Sequence, residues 1–114
     1  MATNMEFLNK VELRGVVGRV NVSNYGGRQV ANFSLVTEYI YASKDGGQVR
    51  ETMWWQVTAW DSPKNQISNV EKGDFVYVLG SMRQRAYTGQ DGEERRVSEV
   101  VATEVEIEAK HRED

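Results

Sequence analysis

Aromatic and cationic side chains recur at strand spacing in the second half of the chain. Trp54 and Trp60 stand six residues apart, and Arg83, Arg85 and Tyr87 follow at alternate positions. In an extended strand, alternate side chains point to the same face, so each group shares one surface. Exposed rings stack on flat ligands such as nucleobases, and guanidinium groups bind phosphate or stack on bases. The spacing therefore indicates noncovalent binding chemistry.

Each group also has a plain structural interpretation. The two tryptophans would equally pack beneath a loop or against another subunit, and the Arg and Tyr set would equally form a solvated strand end. Their joint occurrence on neighbouring strands favours binding. Tyr41 precedes a Gly-containing loop, where it fits a base clamp and a hydrophobic plug at a barrel rim equally well.

The composition argues against catalysis and against a metal or cofactor. The 114-residue chain has no Cys and one His, which excludes disulfides and Cys-ligated metals and leaves no basis for a His-based site. The carboxylates of the last strand have the spacing of solvated positions, with no paired nucleophile; they are Glu99, Glu104, Glu106 and Glu108. No apolar run approaches the roughly 18 residues of a membrane span, so we expect a soluble cytoplasmic protein that does not contact membranes.

The formal net charge of −3 is unevenly distributed. Residues 1–92 contain ten Lys or Arg and nine Asp or Glu, whereas residues 93–114 contain four and eight. The acidity therefore belongs to the last strand and the end of the chain. A slightly basic body can still bind phosphate where its cations share a face, because local patches govern association more than net charge does.

Five strands and one short helix are predicted. Runs rich in Val, Thr, Tyr, Phe and Trp between Gly-containing turns place the strands at about 7–20, 29–41, 49–60, 75–87 and 95–109. Between the third and fourth strands, Ser62 suits a helix cap and Pro63 the first helical position, while Ile67 and Val70 are spaced for one buried face. The order βββαββ fits an all-β, five-stranded Greek-key barrel of the OB-fold type.

Strand alternation also predicts which side chains face the core and which face outward. Gly15 and Gly18 inside the first strand indicate a bulge or a sharp bend. The outward apolar residues Tyr77 and Leu79 indicate a surface for self-association. The expected inward series are Ala31, Phe33 and Leu35; Met53, Trp55, Val57 and Ala59; and Val76, Val78, Gly80 and Met82.

From about Asn9 to Val105 the chain resembles the bacterial-type single-stranded DNA-binding protein (SSB) family. The similarity is carried by the order and spacing of several pieces, none of them specific alone. They are residues 9–18, 30–35, 72–80 and 99–102, with Thr52, Trp54, Val57, Arg83, Arg85, Tyr87, Asp91 and Gly92 between them.

The resemblance implies an OB-fold subunit that binds and protects single-stranded DNA without sequence preference in DNA replication, recombination and repair, associated with the nucleoid. It implies a homotetramer, with a dimer as the alternative. The implied base-stacking residues are Tyr41, Trp54, Trp60 and Tyr87. The implied phosphate contacts are Lys10, Arg14, Arg83 and Arg85, with Arg28 and Lys44 as loop candidates.

We expect one OB-fold domain over residues 1–109 and a short charged end over residues 110–114. The resemblance implies a long acidic tail that recruits replication and repair enzymes, and no such tail follows residue 109 in this sequence. A trimmed sequence and a short form that binds DNA without such recruitment both remain open. The alternative function is that of a primosome-type accessory protein of the same fold, which acts mainly through protein contacts and as a dimer. An oligosaccharide-binding OB-fold would also expose aromatic rings but would gain little from Arg83 and Arg85.

Overall fold

The computed structural model describes residues 5–65 and 67–111. These residues form β1 Val11–Tyr25, β2 Arg28–Ala42, β3 Gln48–Trp60, a 3-10 turn Ile67–Asn69, β4 Phe75–Thr88 and β5 Glu94–Ala109. The last four strands agree with the predicted bounds to within one residue at each end. The first strand was predicted at about 7–20 and is displaced toward the C-terminus.

Specific contacts and turn residues set both ends of β1. Before the strand, the side-chain amide of Asn9 exchanges two hydrogen bonds with the backbone of Met82, at 2.7 and 2.9 Å. A side chain thus takes the place of the next backbone pair, and the ladder stops there. After position 20 the strand continues to a tight turn in which Gly26 and Gly27 both have positive φ, a conformation that favours glycine.

The five strands close into a barrel in the order β1-β2-β3-β5-β4. All neighbouring pairs are antiparallel except β3 and β5, which are parallel. β1 closes the barrel, because its first half pairs with β4 and its second half pairs with β2. A Cβ on Gly15 would lie 2.1 Å from the backbone oxygen of Val36, so only glycine fits where the strand changes partners. The predicted OB-fold is confirmed.

The barrel interior contains the predicted inward side chains, with one exception. The fully buried core includes Val17, Ala31, Phe33, Leu35, Val57, Ala59, Val76, Val78 and Val100. Trp55 packs against this core at its edge. Met53 belongs to the same alternating series, but it is 52% exposed, because β3 extends beyond the barrel at that point.

The predicted helix is reduced to the single 3-10 turn Ile67–Asn69. Ser62 does not cap it: Ser62 and Asn65 exchange backbone hydrogen bonds and close a separate turn. Gln66 lies outside the described residues. Ile67 and Val70 are both buried, as predicted. So short a segment is a poor isolated helix, and tertiary contacts decide its shape. No helix among the described residues is long and apolar enough to cross a membrane.

Two hairpins project beyond the barrel. The β2–β3 pairing continues out to Ala42 and Gln48, and the β4–β5 pairing continues to Thr88 and Glu94. The Cα radius of gyration is 17.3 Å, compared with about 13 Å expected for a compact chain of this length. The projecting hairpins contribute to this difference, and they present exposed aromatic residues away from the core.

Candidate nucleic-acid interface

Trp54 lies beside a groove on the outer face of β1, β2 and β3. Its side chain is 63% exposed, and its ring lies against Gly18, where a Cβ would come within 2.7 Å of Cζ3. The groove measures about 1070 Å³, and its polar lining beside Trp54 includes Arg19, Asn21, Asn32, Gln56, Lys72 and Glu71. The Glu71 carboxylate is paired with Lys110 at 2.8 Å. An indole surface beside amide groups and two cations suits a flat, hydrogen-bonding and anionic ligand.

A bulge in β1 places Arg19 in this groove. Between Val17 and Val20 the register shifts, so that Gly18 and Arg19 together lie opposite the single residue Ser34. The backbone N–H of Arg19 donates to the Ser34 hydroxyl oxygen at 2.9 Å. Without the bulge, strand alternation would point Arg19 inward; with it, the side chain reaches the outer face.

Trp60 lies on the same face of β3 as Trp54, about 20 Å further along the strand. The guanidinium of Arg28 lies 5.1 Å from the centroid of the Trp60 ring, and the Tyr25 ring is tilted against it at 6.2 Å. The β1–β2 turn therefore covers part of Trp60. This ring offers less free stacking surface than Trp54 does.

A row of polar contacts continues this face across the barrel. Thr58 lies between Trp54 and Trp60, and its hydroxyl is within hydrogen-bonding distance of the Asn32 amide oxygen, at 2.9 Å, and of Glu99 Oε2, at 3.0 Å. Glu99 Oε1 also lies 3.3 Å from Nε of Arg85. The side chain of Glu99 is only 14% exposed, so the expectation that it is solvated was wrong.

The β4–β5 hairpin carries the remaining aromatic and cationic residues of this side. Arg83, Arg85 and Tyr87 are all exposed on one face of β4. Within residues 5–65 and 67–111, Arg83 forms no ion pair, in contrast to Arg85. Lys44 is exposed in the β2–β3 turn, also without an ion pair among the described residues. These side chains extend the face along both hairpins.

Tyr41 points to the other face of the β2–β3 hairpin. It lies opposite Val49 in the ladder, whereas Trp54 lies opposite Val36, and the two rings therefore fall on opposite sides of the ribbon. Its hydroxyl donates to Glu51 at 3.1 Å, and its ring lies 5.6 Å from that of Tyr39. The hairpin thus has an aromatic pair on one side and Trp54 on the other.

Lys10 and Arg14 lie in a different surface region from the Trp54 groove. Arg14 pairs with Glu108, and its guanidinium lies 5.4 Å from the centroid of the Tyr77 ring. Lys10 Nζ lies 3.8 Å from a carboxylate oxygen of Glu12. We call this region, comprising Lys10, Glu12, Arg14, Tyr77, Leu79 and Glu108, the Tyr77 patch.

A hydrogen bond in the Tyr77 patch shifts the pKa values of both its partners. The Tyr77 hydroxyl donates to Glu12 at 2.7 Å. This hydrogen bond, with the charge of Lys10, holds the pKa of the Glu12 carboxyl below its usual value. The same hydrogen bond raises the pKa of Tyr77. Both cations of the patch already have anionic partners, unlike Arg83.

Sequence reasoning missed Arg19, Lys72 and the second ring, Tyr39. Gly18 indicated a bulge or a bend in the first strand. A bulge adds one residue to the strand, so the in–out alternation shifts by one position there, and this shift would have predicted an outward Arg19. Lys72 follows the 3-10 turn, and the next residue, Gly73, donates a backbone hydrogen bond to Val17 of β1. That contact joins segments more than fifty residues apart, so no local sequence pattern predicts it.

The chain shows clear similarity to proteins of one family. A model of the single-strand binding protein family matches residues 8–108. The chain belongs to this family. Within the barrel, the family match includes β1 through most of β5, and so covers the Trp54 groove, the polar row and the Tyr77 patch.

Individual relatives agree with the family match. The single-stranded DNA-binding protein of Xylella fastidiosa is 36% identical over 104 residues, which cover 88% of this chain and 63% of the relative. That of Neisseria meningitidis serogroup A is 34% identical over 103 residues, covering 88% and 59%. The chain spans about three fifths of the length of these curated relatives.

Solved structures share the fold. The Plasmodium falciparum SSB, in a complex with single-stranded DNA, superimposes with a TM-score of 0.79 at 24% identity, covering 92% of this chain and 98% of that one. A deletion mutant of the Thermus aquaticus single-stranded DNA binding protein gives a TM-score of 0.72 at 20% identity, covering 88% and 50%. At these identities the likeness concerns the barrel itself.

Proposed function

We propose that this chain binds single-stranded DNA with little sequence preference and protects it, without any chemical step. The observation that carries the proposal is the largely exposed Trp54 in a groove with Arg19 and Lys72. Trp is normally well buried, and here it lies beside two cations in a family named for single-strand binding. Bases in single strands are free to stack on such a ring, whereas bases in a duplex already stack on one another.

Base stacking supplies sequence-independent affinity. Each stack contributes about 1–3 kcal/mol, because every base has a π-face. We assign stacking to Trp54 first and to Trp60, Tyr87 and Tyr41 along the same path. Tyr41 lies on the far side of the β2–β3 hairpin, so a strand that reaches both Trp54 and Tyr41 has to pass around the edge or the tip of that hairpin.

Phosphate contacts fall to the cations near these rings. We assign them to Arg83, Arg85, Arg28 and Lys44, and add Arg19 and Lys72 from the groove. Lys10 and Arg14 are the weaker candidates, because both are paired with carboxylates in the Tyr77 patch. Each phosphate neutralised adds about −0.7 to the slope of log K against log salt.

The cellular role follows from the proposed activity. Protection of exposed single strands serves DNA replication, recombination and repair, and would take place in the cytoplasm at the nucleoid. We infer that residues 1–109 act as one binding domain. The proposal covers DNA binding and self-association, and does not extend to recruitment of other replication or repair proteins.

Self-association is proposed through the Tyr77 patch. Tyr77 and Leu79 are only half-buried within one chain, and their neighbours on β1 and β5 are charged. Pairing of Arg14 with Glu108 and of Lys10 with Glu12 lowers the cost of covering this surface. We expect a homotetramer by light scattering. A dimer that binds single strands weakly would favour the accessory-protein function instead.

Competition with a labelled strand tests the activity. Fluorescence anisotropy of a labelled oligo(dT) should rise on addition of the protein and fall when unlabelled single strands are added. Duplex of equal length and neutral oligosaccharides should compete poorly. Equal competition by duplex would contradict base stacking, and displacement by the oligosaccharide would point to a sugar-binding barrel.

A further inference from the structure

The predominantly polar and cationic face between Trp54 and Trp60 contains one nearly buried carboxylate. Glu99 reaches this face from β5, where its Oε2 lies 3.0 Å from the Thr58 hydroxyl. Its other oxygen lies 3.3 Å from Nε of Arg85. Because Thr58 lies between the two tryptophans on β3, the carboxylate borders the surface on which we place the DNA.

A carboxylate in this position resembles the ligand that Arg85 is expected to bind. Guanidinium groups bind carboxylate and phosphate oxygens with the same donors. In the unbound protein, Glu99 therefore occupies Arg85 and cancels its charge. Arg83 lies opposite Glu99 in the β4–β5 ladder and forms no ion pair among the described residues, so the two arginines differ in what they offer a phosphate.

We propose that Glu99 is an internal competitor of the phosphate backbone for Arg85, and that it limits both the affinity and the salt dependence of single-strand binding. This inference rests on the proposed function. A DNA strand that binds Arg85 must either displace Glu99 from it or share Arg85 with Glu99. In both cases a phosphate group approaches the negative charge of the Glu99 carboxylate. Such a device favours ready release of the strand over maximal affinity.

Substitution Glu99→Gln tests the proposal with little change in shape. Gln keeps an oxygen for the Thr58 hydroxyl, removes the charge, and replaces the oxygen that faces Arg85 with an amide NH2 group. We expect single strands to bind about 5-fold to 10-fold tighter at about 0.1 M salt, from the loss of one like charge at close range. We also expect the slope of log K against log salt to steepen by up to about 0.7, the value for one more neutralised phosphate.

Glu106→Gln is the matched control. Glu106 lies on the same strand, opposite Tyr77, and loses the same charge. It is roughly 20 Å from Glu99 along β5, beyond the screening length of about 10 Å at 0.1 M salt. Because Glu106 borders the Tyr77 patch, light scattering must first show an unchanged assembly. The affinity and slope of this variant should then stay within about 2-fold and 0.2 of the wild-type values.

A double substitution separates an effect through Arg85 from any other. In Glu99→Gln with Arg85→Gln, both charges are removed together, and affinity and slope should return close to the wild-type values. This variant leaves neither charge unpaired, so it also serves if Glu99→Gln alone weakens the barrel, which a thermal melt would reveal. A gain that survives the loss of Arg85 would overturn the proposal.

The remaining outcomes are also decisive. Weaker binding by Glu99→Gln would mean that Glu99 positions Arg85 for DNA, and unchanged binding would mean that the strand does not pass this pair. Either result overturns the competitor role while leaving the proposed function intact, provided that the wild-type protein binds oligo(dT). Failure of the wild-type protein to bind would remove the proposed function itself.

Discussion

Trp54 connects the residue chemistry to the fold more directly than any other side chain. Its ring can remain exposed because Gly18, on β1 beyond the intervening β2, leaves room for it. A side chain of this size would normally be buried for the apolar area it removes from water. An exposed Trp54 does not contribute that stabilisation to the folded chain. A base stacked on the indole would cover the ring and remove this apolar area from water when DNA binds.

Removal of this ring should weaken DNA binding at every salt concentration. We expect Trp54→Ala to lower affinity for oligo(dT) by about 10-fold to 100-fold, which corresponds to one lost stack, with almost no change in the salt slope. Isothermal titration at two salt concentrations measures both. Met53→Ala is the control, since Met53 is exposed on the opposite face of β3; an equal loss in both variants would refute a specific role for the indole.

Arg83 should account for one phosphate contact. Because it forms no ion pair among the described residues, Arg83→Ala should flatten the salt slope by about 0.7. Arg96→Ala is the control, because Arg96 lies on the other face of the same hairpin, opposite Ala86. Anisotropy titrations across a salt series give the slopes, and an unchanged slope for Arg83→Ala would place the backbone of the strand elsewhere.

At the scale of elements, the bulge in β1 connects the barrel to the groove. It turns Arg19 outward and leaves Gly18 beneath the indole. We expect Gly18→Ala to displace the Trp54 ring, because the added Cβ would lie 2.7 Å from Cζ3. The result should be weaker DNA binding, altered tryptophan emission and a stability loss of about 1–3 kcal/mol from overpacking.

The control for this substitution is Gly47→Ala. A Cβ there meets nothing closer than 3.4 Å, and the residue has no positive φ. Its stability and DNA affinity should stay near the wild-type values in chemical denaturation and binding assays. Full DNA affinity in Gly18→Ala would show that the position of the ring in the groove is unimportant.

The strands were predictable from sequence because their signals are local. Alternation of apolar residues located β2 to β5 to within one residue and placed Trp54 and Trp60 outward. The start of β1 and the shape of the short helix were not, since they are decided by hydrogen bonds between Asn9 and Met82 and between Ser62 and Asn65.

The candidate site was predictable in its residue types more than in its arrangement. The strand register sets Tyr41 on the far side of the β2–β3 hairpin. Arg14 and Arg85 form ion pairs with residues of β5. Both features depend on contacts between residues that are distant in sequence. The roles of the individual residues in DNA binding stay predictions.

For the whole molecule, an ion pair between Lys110 and the buried Asp74 ties the end of β5 to the segment before β4. Asp74 is fully buried, and its carboxylate accepts hydrogen bonds from the backbone N–H groups of His111 and Glu71 and from Nζ of Lys110, each at 2.8 Å. Burial alone would raise the pKa of Asp74. The hydrogen bonds to its charged form outweigh burial and hold this pKa below its ordinary value.

This arrangement predicts a stability difference that depends on pH. A carboxyl whose pKa is lowered by folding stabilises the protein above its unfolded pKa of about 3.9, and the stabilisation is lost as pH falls through the folded pKa. Asp74→Asn should therefore cost about 1–3 kcal/mol at pH 7. Thermal melts of both proteins should converge as pH is lowered below about 4, and a gap that stays constant with pH would contradict the role of the charge.

The most direct test of base stacking is a titration of intrinsic tryptophan fluorescence with oligo(dT), at low and high salt, beside duplex of equal length. Trp54 and Trp60 face the proposed DNA path, whereas Trp55 points to the core and donates its indole N–H to Thr37. We predict partial quenching by single strands, saturating at a fixed number of nucleotides per chain, and almost none by duplex. Single-strand binding without quenching, or equal quenching by duplex, would contradict the account.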